Sequence, residues 1–266
     1  MIDTHIHIDG EEFQSDFPEV IARAKEAGCE MMFLPAINLD SLRTVPETCA
    51  KYPDFIFPMM GLHPEDVKED WQDVLAQMKD YIYSNLSSAQ RVIAIGEVGL
   101  DYYWSREFEQ EQLLAFEKQV KWSVETRLPL MIHCRKAQNE MVKILRKYKA
   151  ELPGGVFHCF TGNSHEAEEL LEFQNFTLGI GGVLTFKKSN LPDTLKAVVP
   201  LSRIVLETDA PYMAPVPMRG KRNESAYIPF IMTKLAEIYD TTTAEIDRIT
   251  TQNAKSIINQ KKSLEF

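Results

Sequence analysis

Pro129-Leu-Met-Ile-His133 is an apolar run of strand length that closes on a histidine and is followed by Cys134, and Gly155-Val-Phe-His-Cys-Phe160 repeats the order of apolar residues, His and Cys. Working outward, six further runs read as strands: Met1–Ile8, Glu30–Ile37, Phe55–Leu62, Val92–Val98, Phe176–Ile180 and Arg203–Thr208. Segments of helical period alternate with them: Asp16–Ala27, Leu39–Lys51, Trp71–Leu86, Glu107–Thr126, Lys136–Lys149, Ser164–Phe173 and Leu191–Val198. Ala226–Tyr239 and Thr243–Asn259 follow the eighth run. That alternation is the pattern of repeated βα units around a parallel sheet. A chain of 266 residues permits one (β/α) barrel.

Composition narrows the field. With 44% hydrophobic and 26% charged residues, the chain reads as a globular protein with a large core. No apolar run reaches the roughly 18 residues of a membrane span, and a cytoplasmic setting is expected. Cys29, Cys49, Cys134 and Cys159 are too scattered for a disulfide scaffold, and none forms a CxxC pair. A net charge of −10 argues against nonspecific coating of duplex nucleic acid, though a local basic patch is allowed. No linker or internal repeat interrupts the chain, so residues 1–266 read as a single domain. Asp40, Asn163 or Ser164, and Thr242 with Glu245 are the expected helix caps. The long stretch Ala210–Asn223 reads as a functional loop, and no role is expected of the final Ser263-Leu-Glu-Phe266.

Five of the six histidines, His5, His7, His63, His133 and His158, lie at the C-terminal ends of candidate strands, where a barrel builds its active site. In Asp3-Thr-His5-Ile-His7-Ile-Asp9 the two imidazoles are two residues apart and so share a face with Asp3 and Asp9. Glu97 ends an otherwise apolar strand and needs a cation, either a metal or a barrel Lys or Arg. Glu207 and Asp209 share a face; Glu207 reads as an ion pair and Asp209 as the functional carboxylate. Cys134 and Cys159, next to His133 and His158, should turn toward the helices and pack. The donor inventory exceeds what one catalytic ion uses, which points to two ions sharing a carboxylate. Mixed imidazole and carboxylate ligation suits Zn, Mn or Co, with Mg where oxygens dominate. His63 in Gly61-Leu-His-Pro64 fits either a ligand or a donor to substrate oxygens, and His165, at a helix start, receives no role.

The same barrel end gathers Arg135, Lys136, Lys187, Lys188, Arg219, Lys221 and Arg222, together with Tyr102, Tyr103, Trp104, Phe160 and Tyr212. Cations around a metal site suit an anionic phosphate substrate, and rings beside them suit unpaired bases.

As an ordered set, Asp3-Thr-His-Ile-His7, Gly61-Leu-His-Pro64, Gly96-Glu-Val-Gly-Leu-Asp-Tyr-Tyr103, Ile132-His133, His158-Cys-Phe-Thr-Gly162, Glu207-Thr-Asp-Ala-Pro-Tyr212 and Arg219-Gly-Lys-Arg-Asn-Glu224 resemble the TatD-type deoxyribonuclease family across essentially the whole chain. The resemblance implies an α/β fold, a (β/α)8 TIM barrel of the metallo-dependent hydrolase type. It also implies a phosphodiester hydrolase, typically a 3'-5' exonuclease on single-stranded DNA. It puts one ion on His5, His7, Glu97 and Asp209 and the other on Glu97, His133 and His158, with Glu97 bridging; Mg, Mn and Zn are the expected metals. Asp209 would accept the proton of the attacking water, and His63, Arg135, Arg222 and Tyr103 would meet substrate. Two departures stand out: Ser225 occupies the helix-entry Pro position of the family's RNxPAY segment, which should loosen that loop, and Thr161 replaces Ser in HCFSG. The rival readings are an amidohydrolase acting on a small cyclic amide or ester and a non-catalytic, metal-bound nucleic-acid-binding module. Neither membrane attachment nor an obligate protein partner is expected.

Overall fold

Strands taken in chain order decide the architecture. The structure, a computed structural model, describes residues 1–88 and 91–259, so Ser263–Phe266 lie outside the described residues. The strands are β1 (Ile2–Asp3), β2 (Met31–Ala36), β3 (Ile56–Met60), β4 (Ala94–Asp101), β5 (Leu130–Arg135), β6 (Gly155–Phe157), β7 (Phe176–Ile180) and β8 (Ile204–Leu206). They form one eight-stranded sheet in the order β1 to β8, and every described pairing is parallel. β8 returns to β1: Thr4 N donates to Leu206 O at 3.0 Å, Asp209 N to His5 O at 2.9 Å and His7 N to Ala210 O at 2.8 Å. The fold is a (β/α)8 TIM barrel.

Helices connect the strands: α1 (Phe17–Glu26), α2 (Leu39–Lys51), α3 (Trp71–Ser84), α4 (Glu109–Thr126), α5 (Gln138–Lys147), α6 (Ser164–Leu171), α7 (Leu191–Val198), α8 (Ile228–Tyr239) and α9 (Thr243–Asn259). Among the described residues, no helix is long and apolar enough to cross a membrane.

The chain divides into two compact units. Met1–Leu34 with Cys159–Ser256 buries Ile6, Phe13, Val20, Leu178, Ile180, Val205, Ile231 and Leu235. Pro35–His158 is the body of the other and buries Met59, Met60, Ile95, Val98, Phe116, Val120, Ile132 and Leu145. Near-continuous apolar strands are what a parallel sheet covered on both faces requires.

The local departures have physical causes. β1 is two residues long instead of Met1–Ile8; beyond it the chain keeps to β8 through the single bonds above and an isolated bridge of Ile6 to Ala210. β4 runs past Val98 to Asp101 and carries a bulge, because Ile95 pairs with Leu130 but Val98 with Ile132. One extra residue there re-aims the side chains around Glu97. Gly99 makes this tight register feasible: its φ is 151°, and a Cβ would lie 1.8 Å from the His133 carbonyl oxygen. Asn38, not Asp40, caps α2, in a reciprocal box with Ser41. Asn163 does the same for α6 with Glu166, and Thr242 Oγ1 accepts the Glu245 amide at 3.2 Å. α5 starts at Gln138 because Lys136 is left-handed, with φ 59°.

Candidate metal centre

In the first unit, the donors sit where β1 and β8 end. His5 is fully buried; its Nε2 lies 3.3 Å from His7 Nε2, and both nitrogens approach Asp209 Oδ1, at 3.9 and 3.8 Å. Asp209 is left-handed at φ 54°, so strand alternation no longer relates it to Glu207. Glu207 is fully buried, and its Oε1 accepts the Cys159 amide at 2.6 Å, a backbone partner where an ion pair was expected.

Asp3 lies beneath this cluster and anchors it. Its carboxylate accepts from Thr208 Oγ1 at 2.7 Å, Ser225 Oγ at 2.6 Å, Thr208 N at 3.0 Å and His5 N at 3.3 Å. Burial pushes its carboxyl up to about 7, against the pull of those donors. Ser225 therefore does not loosen its loop, as its replacement of Pro suggested; it is fully buried and bonded to Asp3.

In the second unit, three imidazoles converge on one carboxylate oxygen. Glu97 Oε1 lies 3.0 Å from His133 Nδ1, 3.1 Å from His158 Nε2 and 3.3 Å from His63 Nε2. His133 Nε2 meets Asp101 Oδ2 at 2.9 Å, and Asp101 Oδ1 accepts the Tyr103 amide at 2.8 Å. Burial disfavours a charged His133, but the Asp101 and Glu97 carboxylates outweigh it and lift the imidazole to about 9. Burial likewise opposes ionisation of Asp101, and the His133 hydrogen bond and Tyr103 amide more than offset it, holding the carboxyl below its usual range. Asp101 is a carboxylate of this cluster to which the sequence alone assigned no role. Its signal was position: four residues beyond Glu97, on the same strand as the bulge.

His63 Nδ1 accepts the Glu65 amide at 3.1 Å. The neutral ring must then carry its proton on Nε2, which makes that nitrogen a donor. Of the two roles open to His63, this geometry favours contact with an oxygen over metal ligation.

The expected substrate residues divide. Arg135 stacks its guanidinium 3.5 Å from the Tyr103 ring centroid and 5.3 Å from that of Trp104, which is 68% exposed. Arg222 is occupied by Asp16, at 2.7 and 2.8 Å, and by the Glu12 carbonyl at 2.6 Å. Lys187, Lys188 and Arg219 are exposed, while Phe160 and Tyr102 are buried and offer no stacking face. Cys134 and Cys159 are only half-buried, and Cys159 is left-handed at φ 50°, so alternation does not set its direction. His165 is exposed at the start of α6.

The family model described as TatD related DNase matches residues 2–259. The chain belongs to that family. It is a metal-dependent hydrolase. This TatD-family chain is 37% identical over 257 residues to the uncharacterized metal-dependent hydrolase YabD of Bacillus subtilis, covering 97% of this chain and 98% of that protein. It is 32% identical over 264 residues to the 3'-5' ssDNA/RNA exonuclease TatD of Pectobacterium carotovorum, with the same coverage. The crystal structure of YjjV, a TatD homologue from Escherichia coli, matches with a TM-score of 0.87 at 26% identity over 97% of this chain and 98% of that one.

Imidazole nitrogens and carboxylate oxygens at both clusters are the donor chemistry that divalent ions accept. His5, His7 and Asp209 each bring a donor atom within 3.9 Å of the others. The residues of this TatD-family hydrolase thus fit a metal.

Proposed function

We propose that this chain is a two-ion deoxyribonuclease that removes nucleotides from the 3' end of single-stranded DNA. The observation that carries the reading is the convergence of His133, His158 and His63 on Glu97 Oε1, an acceptor that three imidazoles share at the tips of barrel strands. The Pectobacterium relative's name supplies the substrate class. In the proposed arrangement His5, His7, Glu97 and Asp209 hold one divalent ion, and Glu97, His133 and His158 hold the other. Glu97 is shared, and Mg, Mn or Zn fills the sites. When bound, such ions supply Lewis acidity toward the phosphate and make water more acidic.

The chain's own residues do the rest. Asp209 accepts the proton of the attacking water, and Asp101 holds the His133 ring in one orientation through Nε2. His63 donates from Nε2 to a phosphate oxygen, the direction of bonding that the Glu65 amide leaves it. Arg135 meets the backbone charge, and the exposed faces of Tyr103 and Trp104 stack on unpaired bases. Arg222, held by Asp16, orders the loop that carries Arg219 and Lys221.

The test is hydrolysis of end-labelled single-stranded DNA by metal-stripped protein, with Mg, Mn, Zn or no metal restored and Glu97→Ala as control. Metal-dependent shortening from the 3' end, absent in the control, is expected. Absence of cleavage with any metal, under confirmed ion binding, would overturn the reading.

A further inference from the structure

Of the three glutamines on helix α4, the sequence gives no reason to single out Gln112 and Gln119 from its polar face. Seven residues apart, they lie on one side of the helix, about 10 Å from each other along its axis. Both are buried, Gln119 to 1% exposure. Each spends its whole amide on the backbone of a single residue. Gln119 Oε1 accepts the Leu62 amide at 2.7 Å, and its Nε2 donates to the Leu62 carbonyl at 3.2 Å. Gln112 Oε1 accepts the Asp101 amide at 3.0 Å, and its Nε2 donates to the Asp101 carbonyl at 3.2 Å.

These two backbones are where the sheet stops supplying partners. β3 pairs with β4 at Met59–Ala94 and Met60–Ile95. Beyond that register β4 bulges, and the N–H and C=O of Leu62 and Asp101 find amides of α4 in place of ladder bonds. A carboxamide presents an acceptor and a donor side by side whatever the pH, which neither an ionised Glu nor a Met does. Leu62 precedes His63, and Asp101 is the carboxylate bonded to His133 Nε2.

We infer that Gln112 and Gln119 are positioning residues, Gln119 fixing His63 as an Nε2–H donor and Gln112 fixing the Asp101 carboxylate that orients His133. The functional meaning of the two histidines rests on the reading above; the positioning is measured without it.

The experiment uses full-length Gln119→Met, Gln112→Met and Gln119→Glu. Imidazole 15N shifts of His63 are recorded in metal-free protein near neutral pH, and Mn2+ binding is titrated by calorimetry. Gln119→Met is expected to replace the Nε2–H form of His63 by a mixture of tautomers with Mn2+ affinity unchanged. Gln112→Met is expected to leave the His63 shifts alone and to weaken Mn2+ binding about tenfold, as loss of an orienting carboxylate contact does. Gln119→Glu keeps the acceptor for the Leu62 amide and, once ionised, loses the donor, so raising the pH until that carboxyl ionises should change the His63 spectrum in the same direction even if Gln119→Met does not fold. Unchanged His63 shifts and Mn2+ affinity in the folded variants, whatever their melting temperatures, would overturn the inference. So would failure of both Gln119 variants to fold, which would make the amide purely structural. Altered His63 shifts in the variants, with the parent protein cleaving no DNA under any metal, would refute the nuclease reading and keep the positioning.

Discussion

Gly179 on β7 is a glycine because Glu207 occupies the space its side chain would take. A Cβ there would sit 2.1 Å from Glu207 Oε2, against 3.4–4 Å for ordinary van der Waals contact, an overlap of more than 1 Å. The Glu207 carboxylate cannot simply swing aside, because it is fully buried and its other oxygen holds the Cys159 amide at 2.6 Å. Gly179→Ala should therefore carry an overpacking cost of about 1–3 kcal/mol, and displacing the carboxylate would orphan a buried amide at about 1–3 kcal/mol more. Relaxation avoids the full sum, so about 3 kcal/mol is the expected loss, roughly 6–12 °C in Tm for a chain of this size. The assay is a double-mutant cycle in urea. Glu207→Ala alone is destabilising, since it strips the Cys159 amide of its acceptor. Adding Gly179→Ala to Glu207→Ala should then be neutral or stabilising by up to about 1 kcal/mol, because alanine replaces glycine in a strand without a clash. Equal costs for Gly179→Ala in both backgrounds would refute the steric argument.

Other outcomes follow from the same geometry. Asp101→Asn should weaken Mn2+ binding about 10- to 100-fold in calorimetry, and an unchanged affinity would remove Asp101 from its role toward His133. Trp104→Ala should weaken single-stranded DNA binding by about 1–3 kcal/mol per stacked base, read by fluorescence anisotropy; equal affinity would mean that no base stacks there. Arg222 and Arg23 hold Asp16 well below its ordinary 3.8, at about 2. A depressed carboxyl contributes stability that is full above the unfolded value and is lost as pH falls through the folded one, here between about 4 and 2. Arg222→Met should thus melt lower than the parent at pH 6 by a few degrees at most, Asp16 being partly exposed, and the gap should close toward pH 2. A gap that stays constant with pH would show that the Glu12 carbonyl, not Asp16, is the partner of Arg222 that matters.

Much of the site could be read from residue type and period. His133 and His158 each close an apolar run, and His5 and His7 share a face by spacing alone, so their gathering at strand tips followed from the strand assignments. What escaped the reading depended on register or on distance along the chain. The bulge at Glu97 adds a residue that an unbroken strand pattern does not count, and it carries β4 on to Asp101. Arg222 looked free for phosphate because its partner, Asp16, is 206 residues away. Ser225 looked like a missing Pro because Asp3, which its hydroxyl satisfies, is 222 residues away. Glu207 could be seen to need a partner, but an amide donor has no signature in side-chain sequence. Gln112 and Gln119 look like any polar helix face until the backbone they serve is known.

Gln112, Gln119 and Glu207 share one physical task with Asn223. Parallel ladders run out at the strand tips, where N–H and C=O groups would be buried without partners at a cost comparable to a lost hydrogen bond. Gln119 serves Leu62, Gln112 serves Asp101, Glu207 serves Cys159, and Asn223 Nδ2 serves the carbonyls of Thr208 and Tyr212, each at 2.8 Å. Water could satisfy the same groups, but it would leave the tips mobile. Side chains rooted in α4, just beyond β8 and in the loop before α8 satisfy them and fix the backbone as well. The side chains that follow those tips, His63 after Leu62 and Asp209 after Thr208, are thereby held in place before any substrate or cation arrives, which leaves less ordering for the moment of binding. It follows that substitutions at these clamps should cost stability and, separately, change the groups beyond them, Gln112 through ion affinity and Gln119 through the orientation of His63, so that a stability screen would register them without showing their role.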